Sequence, residues 1–510
     1  MKALDLGPQA EPSSKVPIHN IPSGVQGLDE ILGGGFPEFS FNLIAGLPGS
    51  GKTTLAHQIA FANATDKNRV LYFTVLGEPP LKMLRHQQQY SFFDPLKIGT
   101  ALRFINLSDL VLKQDLEALY SEITTQVTEV QPKVIIVDSF RTLIQGARSM
   151  DQEIATHAFI HRIGHFLTTW EATTFMVGEY SLENINDSPI FTIADGLIWL
   201  WQIPERNSVV RKLQVIKLRG QGSVPGLHTI RINNDGVQAF SRTLGLTGHK
   251  THSKESKRLS MGIPELDKML GGGVREGDSV LIAGPSGTGK SALATQFIAE
   301  GLRNGESGIM AIFEERPEGY MHRAGTFGLN LKEACQEGKL ETLYLRPLDL
   351  SVDETMREIL DAISRVNAKR LVIDSLVGFE MALAPGFRAD FRESLYRMIG
   401  ALTGAGITIV STVEVEDSFT GLPFSHYAIS FLTDDIIRMR YVEIGGQLRK
   451  VLVVIKMRGG NHSKDIREYI VTDKGLVLIH PRQTDYSELI TGLPKALGQK
   501  REIPPETKEP

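Results

Sequence analysis

Gly46-Leu47-Pro48-Gly49-Ser50-Gly51-Lys52-Thr53 and Gly284-Pro285-Ser286-Gly287-Thr288-Gly289-Lys290-Ser291 are two copies of one pattern, G-x-x-x-x-G-K-[ST]. The glycines let backbone N–H groups turn inward around phosphate oxygens. The lysine reaches the β- and γ-phosphates, and the hydroxyl holds Mg²⁺. With Thr54 and Ala292, which follow directly, the candidate nucleotide residues are Gly46, Gly49, Ser50, Gly51, Lys52 and Thr53, then Gly284, Gly287, Thr288, Gly289, Lys290 and Ser291. Two occurrences in equivalent contexts predict a machine that uses ATP or GTP.

The repeat extends outward from the loops. Gly24, Leu28-Asp29 and Leu32-Gly33-Gly34-Gly35 precede the first loop; Gly262, Leu266-Asp267 and Leu270-Gly271-Gly272-Gly273 precede the second at a separation of 238 residues, the same as between the loops. Further on, Val134-Ile135-Ile136-Val137-Asp138-Ser139 matches Arg370-Leu371-Val372-Ile373-Asp374-Ser375 at a separation of 236. Lys217-Leu218-Arg219-Gly220 matches Lys456-Met457-Arg458-Gly459 at 239. A nearly constant offset over this span is the mark of a duplicated domain.

Each copy has the same grammar. An apolar strand (Asn42–Ala45; Val280–Ala283) enters the loop, a helix follows on Leu55, Ile59 and Ala62 or on Leu293, Phe297 and Ile298, and another strand comes next (Val70–Phe73; Ile309–Phe313). Apolar strands alternating with helices predict an α/β fold: two tandem P-loop domains, each a mainly parallel sheet with helices on both faces. The expected boundaries are an N-terminal extension over 1–20, a first ATPase domain over 21–240, a linker over 241–258, a second ATPase domain over 259–480 and a Pro-, Lys- and Glu-rich mobile tail over 481–510.

Composition narrows the function classes. The 510 residues carry a formal net charge of −4, 41% hydrophobic and 22% charged residues, the profile of an ordinary globular protein. Near-neutrality gives no overall basic footprint for nucleic acid. The single cysteine, Cys335, excludes an internal disulfide and fits a reducing cytoplasm. The first residues have no apolar core of signal-peptide length, and no apolar run approaches the roughly 20 residues of a membrane helix.

Asp138 and Asp374 end all-apolar strands, which places each carboxylate beside its loop, where it joins Thr53 or Ser291 around Mg²⁺. Glu314 and Glu315 follow the next strand as a general base with a neighbour able to modulate its proton affinity. In the first copy the same stretch reads Val75-Leu76-Gly77-Glu78-Pro79, so Glu78 stands alone and Gly77 occupies the place of Glu314. That asymmetry predicts two sites with different rates. Lys217 and Arg219, and Lys456 and Arg458, sit two apart on apparent strands and so share a face. Such a pair can act in trans on a neighbouring subunit's γ-phosphate. His157, His161 and His165 stack on one helix face and read as a polar or interface face, since no Cys or carboxylate cluster accompanies them. Trp199 and Trp201 read as a core or interface strand.

The duplicated L-D-x-x-L-G-G-G, P-loop and D-S pattern resembles the KaiC family of circadian-clock ATPases, within the wider RecA-like group, from about Ile21 to His480. Ala311-Ile312-Phe313-Glu314-Glu315, Tyr441-Val442-Glu443-Ile444, Ile466-Arg467-Glu468 and Asp473-Lys474-Gly475 are similar to the family's second half. The resemblance implies a cytoplasmic double-ring homohexamer with ATP and Mg²⁺ at subunit interfaces, slow hydrolysis in the first ring, and autokinase and autophosphatase activity in the second. It implies that Glu314 is the base and that Arg392, Lys456 and Arg458 contact nucleotide across the interface. It also implies clock-type or response-regulator protein partners. The family's phosphorylated Ser-Thr pair falls on Ser430-Phe431; Ser430 keeps the acceptor hydroxyl and Phe431 has none.

Three readings stay open on sequence alone: a hexameric ATPase with autokinase activity, a RecA- or RadA-like DNA-dependent ATPase, and a nucleotide-gated signalling scaffold with little turnover.

Overall fold

The computed structural model describes residues 18–75, 85–113, 115–141, 150–183, 189–205, 208–242, 257–345, 351–383, 388, 391–415, 433–444 and 447–479. By its internal contacts the chain divides into two units, residues 1–242 and 243–510.

In the first unit, Asn20–Ile21 (β1) pairs with Phe36–Pro37 (β2). A nine-stranded sheet is then built from Phe41–Gly46 (β3), Val70–Thr74 (β4), Leu102–Asn106 (β5), Val134–Asp138 (β6), Thr173–Glu179 (β7), Gly196–Glu205 (β8), Ser208–Leu218 (β9), His228–Asn233 (β10) and Gly236–Phe240 (β11). Its order is β11-β10-β9-β8-β3-β7-β6-β4-β5. From β5 across to β8 every pairing is parallel; from β8 to β11 every pairing is antiparallel.

The second unit repeats this. Arg258–Leu259 (β12) pairs with Val274–Arg275 (β13). The sheet runs Ser279–Gly284 (β14), Gly308–Ile312 (β15), Leu340–Tyr344 (β16), Arg370–Asp374 (β17), Thr408–Glu414 (β18), Asp435–Ile444 (β19), Gln447–Met457 (β20), Arg467–Thr472 (β21) and Gly475–Leu478 (β22). Its order, β16-β15-β17-β18-β14-β19-β20-β21-β22, is the first sheet's order strand for strand. The expected fold is present in both units, and each parallel half continues into an antiparallel one.

Strand alternation explains why helices cover both faces. In the first unit Ile44, Val70, Tyr72, Ile136 and Val177 form one apolar layer with Leu55 and Ile59 of the helix Lys52–Asn63. Leu43, Leu71, Phe73, Ile135 and Met176 form the opposite layer with Leu119 and Ile123 of the helix Leu116–Val130 and with Phe159 and Ile163 of the helix Met150–Thr169. Phe61, rather than Ala62, closes the stripe of the helix Lys52–Asn63: Phe61 is buried and Ala62 is exposed. Trp199 lies in the core, with Trp201 partly buried beside it. His157, His161 and His165 lie on the exposed face of their helix.

Ordered contacts reach into both ends of the segment read as a linker. Ser241 is buried, and the Arg242 N–H donates to His228 Nδ1 at 3.2 Å. Arg258 donates to the carbonyls of Leu270 and Gly273 at 2.9 and 2.6 Å. The tail from residue 480 lies outside the described residues.

Candidate functional site

Each loop leaves the C-terminal end of the sheet's central strand and turns directly into a helix, Lys52–Asn63 after β3 and Lys290–Arg303 after β14. The turn requires glycine. Gly51 and Gly289 hold φ of 101° and 100°, the left-handed region, and a Cβ on Gly51 would sit 2.5 Å from Ile232 Cδ1. The loop therefore opens onto a helix N-terminus, whose free N–H groups favour an anion.

The loop lysines span these turns. Lys52 Nζ donates to the Leu47 carbonyl at 2.9 Å, and Lys290 Nζ to that of Pro285 at 2.8 Å. Burial pulls both ammonium pKa values down, while nearby carboxylates oppose the shift: Glu179 and Asp138 for Lys52, and Glu414, Asp374 and Glu314 for Lys290.

Asp138 and Asp374 are both buried at the ends of β6 and β17. Burial raises the pKa of Asp138, opposed by hydrogen bonds from Thr53 and Tyr72 and by the Lys52 charge. A loop hydroxyl already within hydrogen-bond reach of a buried carboxylate is a donor set that fits Mg²⁺, a hard cation that takes few protein oxygens. Thr53 with Asp138, and Ser291 with Asp374, would hold it.

In the second unit these groups line one cleft of about 550 Å³ with Glu314, Glu315, Tyr320, Arg323, Ser375, Glu414 and Lys450. Glu314 accepts a hydrogen bond from Ser375 Oγ, which itself accepts from the Gly378 N–H at 3.1 Å. A Cβ on Gly378 would meet Glu314 Cγ at 2.7 Å, so the glycine makes room for that carboxylate. Glu315 is engaged elsewhere: Arg323 grips both of its oxygens. Glu78, Gly77, Ser430 and Phe431 lie outside the described residues.

The basic pairs differ in detail from the expectation of one strand face. Lys217 and Lys456 are on β9 and β20, but those strands end at Leu218 and Met457, one residue short of Arg219 and Arg458. Lys217 Nζ donates to the Thr192 and Ala194 carbonyls, and Arg219 pairs with Asp195 at 3.1 Å. Lys456 donates to the Thr433 carbonyl at 2.5 Å, and Arg458 pairs with Asp434 at 3.4 Å. The two cations of each pair remain neighbours: each arginine's charge helps lower the pKa of its lysine, after burial. Both pairs sit at the sheet end opposite their own loop. Arg458 lies level with Ser279, and the loop begins after Gly284, roughly 16 Å of strand away. Arg392 is exposed on the helix Phe391–Gly404.

Several site residues escaped sequence reasoning. Arg211 Nε lies 3.5 Å from the Gly49 carbonyl, and Lys450 Nζ donates to that of Gly287 at 2.9 Å. Both cations stand six residues before the paired lysines, a spacing repeated between the copies. Tyr469 donates to the Thr288 carbonyl at 2.6 Å, bracing the second loop from β21. Glu179 and Glu414 end the neighbouring strands and face the loop lysines.

Beside Lys456 the second unit carries a buried acid that the first lacks. Asp435 is 0% exposed, and neither carboxyl oxygen has a partner in good hydrogen-bond geometry, the Arg458 N–H being only nearby. Its pKa is pushed up to about 7 by burial, then by the charges of Asp278 and Asp434, against the Arg458 backbone N–H and Arg258. Its folded-state pKa is raised, so the folded protein binds the proton more tightly, and stability falls as pH rises from about 4 to 7. At pH 8 the cost approaches its ceiling, on the order of 4 kcal/mol for a shift of this size. Asp435→Asn should therefore melt higher relative to wild type at pH 8 than at pH 4, read by thermal denaturation. A difference that does not change with pH would refute this.

A model of the family described as "ATPase: KaiC" matches residues 21–243 and again 259–483. The "Circadian clock oscillator protein KaiC" of Picosynechococcus sp. is 29% identical over 502 residues, covering 95% of each chain. The protein of that name from Rippkaea orientalis is 30% identical over 94% of this chain and 92% of its own. That from Prochlorococcus marinus is 28% identical over 94% and 97%.

Proposed function

The chain belongs to the KaiC family of ATPases, and from that premise we propose that it is a homohexameric ring ATPase whose second domain phosphorylates, and dephosphorylates, its own Ser430. The observation that carries this reading is the second-unit cleft: Lys290, Asp374, Glu314 and Glu414 converge on one phosphate-binding turn. Lys290 neutralises the terminal phosphate, and the loop N–H groups hold its oxygens. Ser291 and Asp374 would hold Mg²⁺, which would supply charge neutralisation for the transferring phosphate. Glu314, held by Ser375 at the cleft, takes the proton from the acceptor hydroxyl or from water. Lys456, Arg458 and Arg392, and in the first ring Lys217 and Arg219, complete a neighbour's site, since the Lys/Arg pairs lie far from their own loops. In the first domain Glu78 orients the water.

The relatives named as circadian clock oscillator proteins support clock-type partners for this chain; response-regulator partners and a cytoplasmic setting belong to the same proposal. Among the described residues no helix is long and apolar enough to cross a membrane.

The test is incubation with Mg²⁺ and γ-labelled ATP, followed by intact-mass analysis and peptide mapping. Phosphate on Ser430 that vanishes in Ser430→Ala is the expected result. Release of inorganic phosphate that needs Lys52 and Lys290, with no incorporation, would leave a ring ATPase and remove the autokinase. DNA-stimulated turnover with a steep salt dependence would replace the reading with a recombinase-type one.

A further inference from the structure

Asp138 and Asp374 each receive a hydrogen bond on Oδ2 from a buried tyrosine. Tyr72 Oη donates to Asp138 at 2.9 Å, and Tyr320 Oη to Asp374 at 3.1 Å. The two tyrosines are not equivalent residues. Tyr72 is on β4, two strand residues before Thr74, which pairs with Asp138. Tyr320 is on the helix Pro317–Thr326, beyond Glu314 and Glu315. At the repeat separation of 238, Met310 is the counterpart of Tyr72, and its side chain carries no donor. The two copies thus bring the same group to the same oxygen from different elements, which packing alone does not require.

Each phenol is also linked to the turn that carries the loop hydroxyl, directly in the second unit and through His57 in the first. In the second unit Thr295 Oγ1 donates to the Ser291 carbonyl at 2.6 Å and lies 2.9 Å from Tyr320 Oη, and the Ser291 carbonyl is 3.4 Å from that phenol oxygen. In the first unit the counterpart of Thr295 is His57. Its ring stacks on Tyr72 with centroids 4.5 Å apart, and its Nδ1 is 2.8 Å from the Thr53 carbonyl. Tyr72 and Tyr320 are 0% and 2% exposed, so water does not compete for these bonds.

We propose that Tyr72 and Tyr320 are positioning residues that fix the Mg²⁺-holding carboxylates of the two nucleotide sites relative to Thr53 and Ser291. This rests on the nucleotide-site reading above. A phenol O–H occupies one lone pair of Oδ2; in the second unit Thr412 Oγ1 also donates to Asp374 Oδ1, and the lone pairs left over on each carboxylate are the ones available to the cation. Without that bond the carboxylate keeps its charge but loses one of the bonds that orient it, alongside Thr412 at Asp374 and Thr53 at Asp138, and partners of this kind set metal affinity by about 10- to 100-fold.

The test uses full-length Tyr320→Phe in a Lys52→Ala background and Tyr72→Phe in a Lys290→Ala background, so that one site is read at a time. Each change removes one oxygen and keeps the ring. Binding of a fluorescent ATP analogue is titrated with Mg²⁺ and repeated in EDTA. The expected result is unchanged affinity in EDTA and an Mg²⁺ midpoint raised about tenfold or more. An Mg²⁺ midpoint equal to that of the parent, or a loss that is the same in EDTA and in Mg²⁺, overturns the proposal. A parent that shows no Mg²⁺-dependent binding overturns the nucleotide-site reading and this proposal with it. Should one variant fail to fold, the other, in a separate unit, carries the same test.

Discussion

Arg458→Ala is expected to cut second-domain turnover by about 10³-fold or more, the scale of a trans-acting arginine, while nucleotide binding at the same subunit's loop persists. Arg458 lies level with Ser279, at the far end of the strand that leads to Gly284 and the loop, so it does not serve its own phosphate site. Its guanidinium is parked against Asp434, 58% exposed, beside Lys456. An exposed pair of this kind adds little stability, so the variant should fold. The decisive version mixes Arg458→Ala subunits with Lys290→Ala subunits, each inactive alone. If one subunit's loop meets its neighbour's arginine, random hexamers from equal amounts regain about a quarter of the second-ring sites. If the arginine acts within its own subunit, no subunit combines a good loop with a good arginine, and activity stays absent. Phosphate release from the second domain, with the first silenced by Lys52→Ala, reads the difference.

Much of this architecture was legible in the chain because its signals are local. A glycine-rich turn followed by Lys-Thr or Lys-Ser can be read without knowing what lies near it, and a strand ending in Asp announces its position by its own apolar run. The duplication multiplied each signal, since one offset tied loops, aspartates and basic pairs together. What stayed hidden depends on contacts between distant residues. Tyr72 looks like any strand aromatic, and Tyr320 like any helix one; only the fold brings both hydroxyls to the same carboxylate oxygen. Gly378 looks like a helix glycine until Glu314 is placed against it. Lys450 and Arg211 reach the loop carbonyls from hairpin strands whose antiparallel pairing the loop motif does not encode. The strand read through Lys217 and Arg219 stops short for a related reason. The partner strand β8 begins at Gly196, opposite Leu218, so β9 ends there and Arg219 adds to the pairing only a backbone bond to the Asp195 carbonyl at 3.0 Å.

Glu314→Gln is expected to lower phosphoryl transfer in the second domain by about 10²- to 10⁴-fold, the usual worth of a general base, with nucleotide affinity retained. The amide has the carboxylate's shape and still accepts the Ser375 hydrogen bond, so the helix cap at Ser375 and Gly378 survives. What is lost is the capacity to take a proton. Glu315 cannot stand in, because Arg323 holds both of its oxygens and turns it toward the helix Pro317–Thr326. Glu315→Gln should accordingly leave the chemical step nearer wild type and act mainly by releasing Arg323. The measurement is single-turnover phosphate transfer or release, with the first domain silenced by Lys52→Ala and binding of a fluorescent ATP analogue followed in parallel. Equal losses in the two variants would mean that the adjacent carboxylates share the proton. A Glu314→Gln protein that turns over normally would move the base elsewhere in the cleft. Glu414 would then be the first residue to replace, since it ends β18 and faces the loop lysine.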